Sequence, residues 1–154
     1  MDADAARDSA HRVSESLKLT AEEIQAAHAA LAALDGYFKV VGQAPVRLPY
    51  TFTDKVRYAI AKDRRILKRV VDDLEEARVG KIKELDPIDA DIGKASARIQ
   101  SQYFDWYRGW LKSEYEVEGL IFFDVGQLLK DEANPIPGTV IEALEPLIRM
   151  PAVS

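Results

Sequence analysis

The sequence predicts a mainly α fold: an antiparallel bundle of long helices with a small C-terminal α+β subdomain. Three observations predict it. Residues 53–85 read as one long amphipathic helix. Residues 89–114 continue a seam of apolar side chains at steps of three and four. Only from Tyr115 does the period change to two, the spacing of a strand. A chain of 154 residues suits one domain with a real core. No internal repeat or long polar linker divides it. The expected layout is a flexible arm over 1–18 and a single helical domain over 19–154, with residues 115–154 as its mixed part.

The elements follow in order. Residues 1–16 are small and polar, without periodic apolar positions. Thr20-Ala-Glu-Glu23 fits a capping box, in which the threonine oxygen accepts a backbone N–H and Glu23 reaches back. Ile24, Ala27, Leu31 and Leu34 then share a face, so a helix is expected from about 21 to 35, stopped by Gly36 at positive φ. Gly42, Pro45 and Pro49 forbid a long helix over 37–52. That segment is expected to be an apolar connector packed on the core, with a short strand near Val46–Leu48.

Thr53 or Asp54 can cap the long helix, whose buried stripe is Val56, Ala59, Ile60, Leu67, Val70, Val71 and Leu74. Asp86-Pro87 closes it. The next helix should begin near Asp89 or Asp91 and reach about Glu114. A strand over 115–123 follows, then a helical turn over 124–130 and a rigid loop at Asn134-Pro-Ile-Pro-Gly138. A last short helix, capped by Thr139 and bent by Pro146, ends the chain.

Composition excludes several functions. With 47% apolar and 31% charged residues the chain is of ordinary globular type. No run of about 18 apolar residues occurs, so no membrane span is expected. The acidic, polar start lacks the basic and apolar segments of a signal peptide, and the expected compartment is the cytoplasm of the cell that makes the chain. Without cysteine there are no disulfides, thiolate ligands or cysteine nucleophiles. Of the two histidines, His11 lies in the arm, and His28 follows Gln25 rather than a glutamate, so the Glu-x-x-His pairing of di-iron bundles is missing. Gly93-Lys94-Ala95-Ser96 is not a phosphate loop, because Ile88 stands where the first glycine belongs. Asp86, Asp89 and Asp91 suit helix capping better than calcium. The sequence therefore predicts no enzyme, no cofactor and no metal site.

Two patches remain as candidate partner-binding surfaces. The first is the two-signed face of the long helix. Lys62, Arg64, Arg65, Lys68 and Arg69 are followed within a turn by Asp72 and Asp73, with Lys68–Asp72 and Arg69–Asp73 spaced to pair. The basic block could meet phosphates, but the adjoining acids and a net charge of -5 argue against nucleic acid and for a protein partner. The second is aromatic: Phe104, Tyr107 and Trp110 belong to a dense cluster with Tyr103, Trp106 and Tyr115. A helix apolar on two faces is either central in the bundle or an assembly surface.

Several segments also carry a resemblance. They are Leu19-Thr-Ala-Glu-Glu-Ile24 with Ala30-Leu31-Ala-Ala-Leu34, Val56-Arg-Tyr-Ala-Ile-Ala-Lys62, Glu75-Glu-Ala-Arg78 and Val140-Ile-Glu-Ala-Leu-Glu-Pro-Leu-Ile148. In this order, over residues 19–149, the chain resembles small uncharacterised proteins encoded among the structural and tail genes of tailed bacteriophages and prophages. The resemblance brings no catalytic residues. It implies a virion or assembly role exercised through protein contacts. The leading expectation is thus a non-enzymatic structural or assembly component. The rival is a regulatory or host-directed inhibitor acting through residues 62–69.

Overall fold

The computed structural model describes residues 16–128 and 134–149. Among these residues the fold is mixed α/β, 60% helical, with five helices and small two-stranded sheets, and not clearly a bundle of long helices. The elements are β1 (Leu17–Thr20), α1 (Ala21–Ala33), β2 (Tyr37–Val41), β3 (Ala44–Leu48), α2 (Asp54–Leu85) and α3 (Ala97–Leu111). They continue with β4 (Glu114–Val117), β5 (Phe123–Asp124), α4 (Val125–Leu128), α5 (Gly138–Leu144) and β6 (Ile148–Arg149). The helix lengths explain the departure from a bundle. With 32 residues, α2 is more than twice as long as α1 with 13 or α3 with 15, so neither neighbour can follow it along its length.

The capping signals act as expected at two starts. Glu23 N–H donates to Thr20 Oγ1 at 3.1 Å and Thr20 N–H donates to Glu23 Oε1 at 2.9 Å. Thr53 caps α2 by accepting from Val56 N–H. The third helix is shorter than predicted at both ends. Asp91 caps only a 3-10 turn at Ile92–Lys94; Ala95 is extended, and Ser96 provides the true cap by accepting from Ile99 N–H. Thr139 does not cap the last helix. Pro137, fixed at φ -59, stands at that position, and its carbonyl accepts from Val140 and Ile141.

The N-terminal expectation is corrected at residues 17 and 18. They belong to β1, which pairs antiparallel with β4 in the register Leu17↔Val117, Lys18↔Glu116, Leu19↔Tyr115. Leu17, Leu19, Tyr115 and Val117 turn to the interior, while Lys18 and Glu116 oppose each other outside. The rest of the predicted arm, residues 1–15, lies outside the described residues, as do residues 129 and 130 of the predicted turn.

One cluster of buried side chains gathers Leu19 from β1, Ile24 and Leu31 from α1, Leu67 from α2, Trp110 from α3 and Leu144 from α5. α1 lies between α2 and α5. Buried alanines at positions 21, 27 and 30 give it a slim profile for close packing. Two polar clamps fix the irregular segments. Asn134, itself buried, accepts from Thr51 N–H at 2.8 Å and donates to Thr51 carbonyl at 2.7 Å. Asp63 on α2 accepts the N–H of Ile121 at 2.7 Å, which holds the chain leaving β4 against the long helix.

Candidate functional site

The largest correction is at residues 37–52. Only Tyr50 and Phe52 at its end are packed in the core as expected, and the strand near Val46–Leu48 is present; before them β2 and β3 make a hairpin whose far end is exposed. Its two-residue turn is Gly42-Gln43, with Gly42 at φ +69 as the only left-handed residue of the turn, the pattern of a type II′ turn. Gly36 is not at positive φ. A Cβ there would stand 2.8 Å from the carbonyl oxygen of Leu48, so this glycine admits the returning strand.

Only the hairpin's base meets the core: the Tyr37 ring packs at a tilt, 4.9 Å from that of buried Tyr50, and Leu48 is half-buried. Beyond them the strands are exposed on both faces. Phe38 and Val40 are each 71% exposed and Val41 is 57% exposed. Phe38 and Val40 share one face with Pro45 and Arg47, and Val41 shares the other with Lys39, Ala44 and Val46. The Arg47 guanidinium lies over the Phe38 ring at 5.9 Å. Lys39 and Arg47 are its only charged side chains. The missed signal was Val-Val-Gly-Gln-Ala: a two-residue Gly-x turn between β-branched residues.

The charged face of α2 is present but less free than its sequence suggests. Arg64 donates to both carboxylate oxygens of Asp35, at 2.9 and 3.0 Å, and so ties α2 to the end of α1. Lys68 pairs with Asp72 at 2.9 Å. Arg69–Asp73 is not among the ion pairs of the described residues. Arg65, Arg69 and Asp73 are exposed, and Lys62 is half-buried. His28 on α1 lies close enough to feel Arg64, Lys68 and Asp72. Its pKa is lowered, first by burial and then by Arg64.

The aromatic helix divides. Trp110 is buried in the main cluster and is removed from the candidate partner surface. It stacks on Trp106 at 5.4 Å, and its indole N–H is enclosed without a partner among the described residues. Tyr107 is half-buried beside it. Phe104 alone of the three candidates is exposed, at 49%. Tyr103 is buried and its hydroxyl accepts from Arg78 at 3.3 Å. Arg78 also holds Glu75, whose carboxyl it keeps below the usual carboxylate range by hydrogen bonding.

One chemically unusual group escaped the sequence reading. Asp63 has no exposed surface, and its second carboxylate oxygen lacks a partner among the described residues. Burial pushes its pKa up to about 7, against the smaller opposing effects of the Ile121 N–H and of Lys62. Its position between Ile60 and Leu67 on the buried stripe was the available signal. Fully enclosed, it reaches no external substrate unless the fold opens. Among the described residues no three His, Asp or Glu side chains gather as a metal ligand set. Nor is any described helix long and apolar enough to cross a membrane.

Two clefts adjoin these features. One of about 390 Å³ lies between the end of α1 and the start of α2, lined by Asp35, Tyr50, Phe52, Arg57 and Arg64. Another of about 550 Å³ lies between the start of α1 and the end of α5, where Glu22, Glu23, Glu142 and Glu145 surround Ala26, Ala143 and Pro146. No protein-family model, curated protein or solved structure matches this chain.

Proposed function

We propose that this chain is a non-enzymatic protein-binding component of a tailed phage or prophage, with a structural or assembly role. The observation that carries the binding part is the hairpin. Four apolar side chains, Phe38, Val40, Val41 and Val46, stand exposed on a two-stranded sheet with none of the described residues over it. Such a sheet is marginal alone, and its free strand edges invite pairing. Covering each side chain is worth about 1.5–3 kcal/mol, so a partner that buries them gains substantially. The two-signed face of α2 can orient such a partner, since alternating charge selects register more than it adds affinity. The phage setting rests on the resemblance of residues 19–149.

The protein would act in the host cytoplasm and, where it stays in the particle, in the virion. Nucleic acid fits poorly: the net charge is -5, and Arg64 and Lys68 are already engaged by Asp35 and Asp72. A second reading, a regulatory or host-directed inhibitor acting through residues 62–69, draws on exposed Tyr58, which stands a helical turn from Lys62. Reversing Arg65 and Arg69 to glutamate would abolish partner binding on that reading and leave hairpin-mediated binding intact. The leading reading is tested by mass spectrometry of purified particles and of assembly intermediates. The chain is expected in one or both. Its absence from both contradicts the assignment.

A further inference from the structure

We propose that copies of this chain assemble head to tail, the hairpin of one seating in the acidic groove between α1 and α5 of the next. The inference rests on the protein-binding reading above and names the partner as a second copy of the chain. Three observations support it. The first is charge. From Gly36 to Thr53 the sequence holds no Asp or Glu, and the hairpin's charges are Lys39 and Arg47. The groove presents the opposite: exposed Glu22, Glu23, Glu142 and Glu145 around a floor of Ala26, Ala143 and Pro146. No cation pairs with these four glutamates among the described residues. An apolar tip flanked by cations thus matches an apolar floor flanked by carboxylates.

The second observation is size. A groove of about 550 Å³ is in the range that encloses a compact ligand, and it can take the side chains of a hairpin tip. The third is placement. Glu22 and Glu23 stand in the first turn of α1, and the hairpin begins just past its last. A helix of 13 residues sets these ends about 20 Å apart. The two surfaces therefore lie at opposite ends of one element, and each is left for a different neighbour. A contact between unlike surfaces repeats from copy to copy, giving a ring if the rotation closes and a filament if it does not. Pairing two hairpins with each other would instead bring Lys39 and Arg47 of both copies together, which charge disfavours.

Sedimentation velocity of the full chain over a wide concentration range is the test. Species larger than a monomer should grow with concentration and weaken as salt rises. Two variants separate the surfaces without exchanging their charges: V40S with R47Q on the hairpin, and E142Q with E145Q in the groove. All four positions are exposed, and circular dichroism should show both variants folded. Each variant alone should lose about tenfold or more in association. Mixed together they should form a dimer and nothing larger, because one retains a groove and the other a hairpin. Self-association untouched by the groove changes would overturn the proposal, as would a mixture that stays monomeric. A chain that is monomeric throughout yet recovered from particles would overturn it too, while leaving the protein-binding reading standing. Capture of the isolated chain by anionic vesicles without self-association would also overturn it.

Discussion

Two small antiparallel sheets in this protein use nearly the same local grammar and meet opposite fates. In β1–β4, Leu17 and Leu19 alternate with Lys18, and Tyr115 and Val117 alternate with Glu116. One face is wholly apolar and the other wholly polar, so the sheet can lie down on the core. In β2–β3, Phe38 and Val40 point one way and Val41 and Val46 the other. Both faces carry exposed apolar side chains beyond the base, and neither is covered by the described residues. Alternation marks a sheet that the chain completes by itself. Apolar side chains on both faces mark one that needs a neighbour.

That contrast makes stability and association separable. The largest expected effect concerns Asp63, which pins the exit of β4. Its carboxyl holds a proton up to about pH 7 in the folded chain, whereas an ordinary aspartate ionises near 3.8. The folded state therefore binds more protons across that window, and stability should fall as pH rises from about 4 to 7. The difference is on the order of 4 kcal/mol, and the contribution is constant above that range. Denaturant melts of the wild type and D63N at several pH values check this. The variant should lose most of the decline.

Next, L19A in the covered sheet should cost about 2–5 kcal/mol, since Leu19 is 1% exposed and nothing refills its place. Removing the Thr51 clamp with N134A should cost about 1–3 kcal/mol, because Thr51 N–H and C=O lose their side-chain partner. Both are read as shifts in denaturant midpoint with an unchanged slope. The smallest effect belongs to the hairpin. F38S should change the stability of the monomer by less than about 0.5 kcal/mol, as a surface substitution does. A cost above about 2 kcal/mol would place Phe38 in the fold and erase the contrast.

The same contrast shows which parts of the molecule were legible in its sequence. The capping box at Thr20, the start of α2 at Thr53 and its end at Asp86 were readable because the signals are local and the partners lie within four residues. The pairing of Leu17–Thr20 with Glu114–Val117 was not, because it joins segments nearly a hundred residues apart. Trp110 was readable as apolar, yet spacing alone could not separate core from surface on a helix with two apolar faces. Of the expected charged surface, Arg64 was taken by Asp35, a residue on another element. The hairpin was hidden by Pro45 and Pro49, which read as breakers although Pro45 sits comfortably at an outer strand.

Tyr37–Leu48 is thus proposed as a binding element, whereas Leu17–Thr20 with Glu114–Val117 is part of the fold. Hydrogen exchange at amide resolution, on the chain diluted to monomer and again at a concentration where it associates, tests it most directly. β1 and β4 should be protected in both samples. The β2 and β3 amides should exchange rapidly in the monomer and become protected on association. Equal protection of both sheets in the monomer would contradict the account, and so would a hairpin that stays unprotected in the associated state.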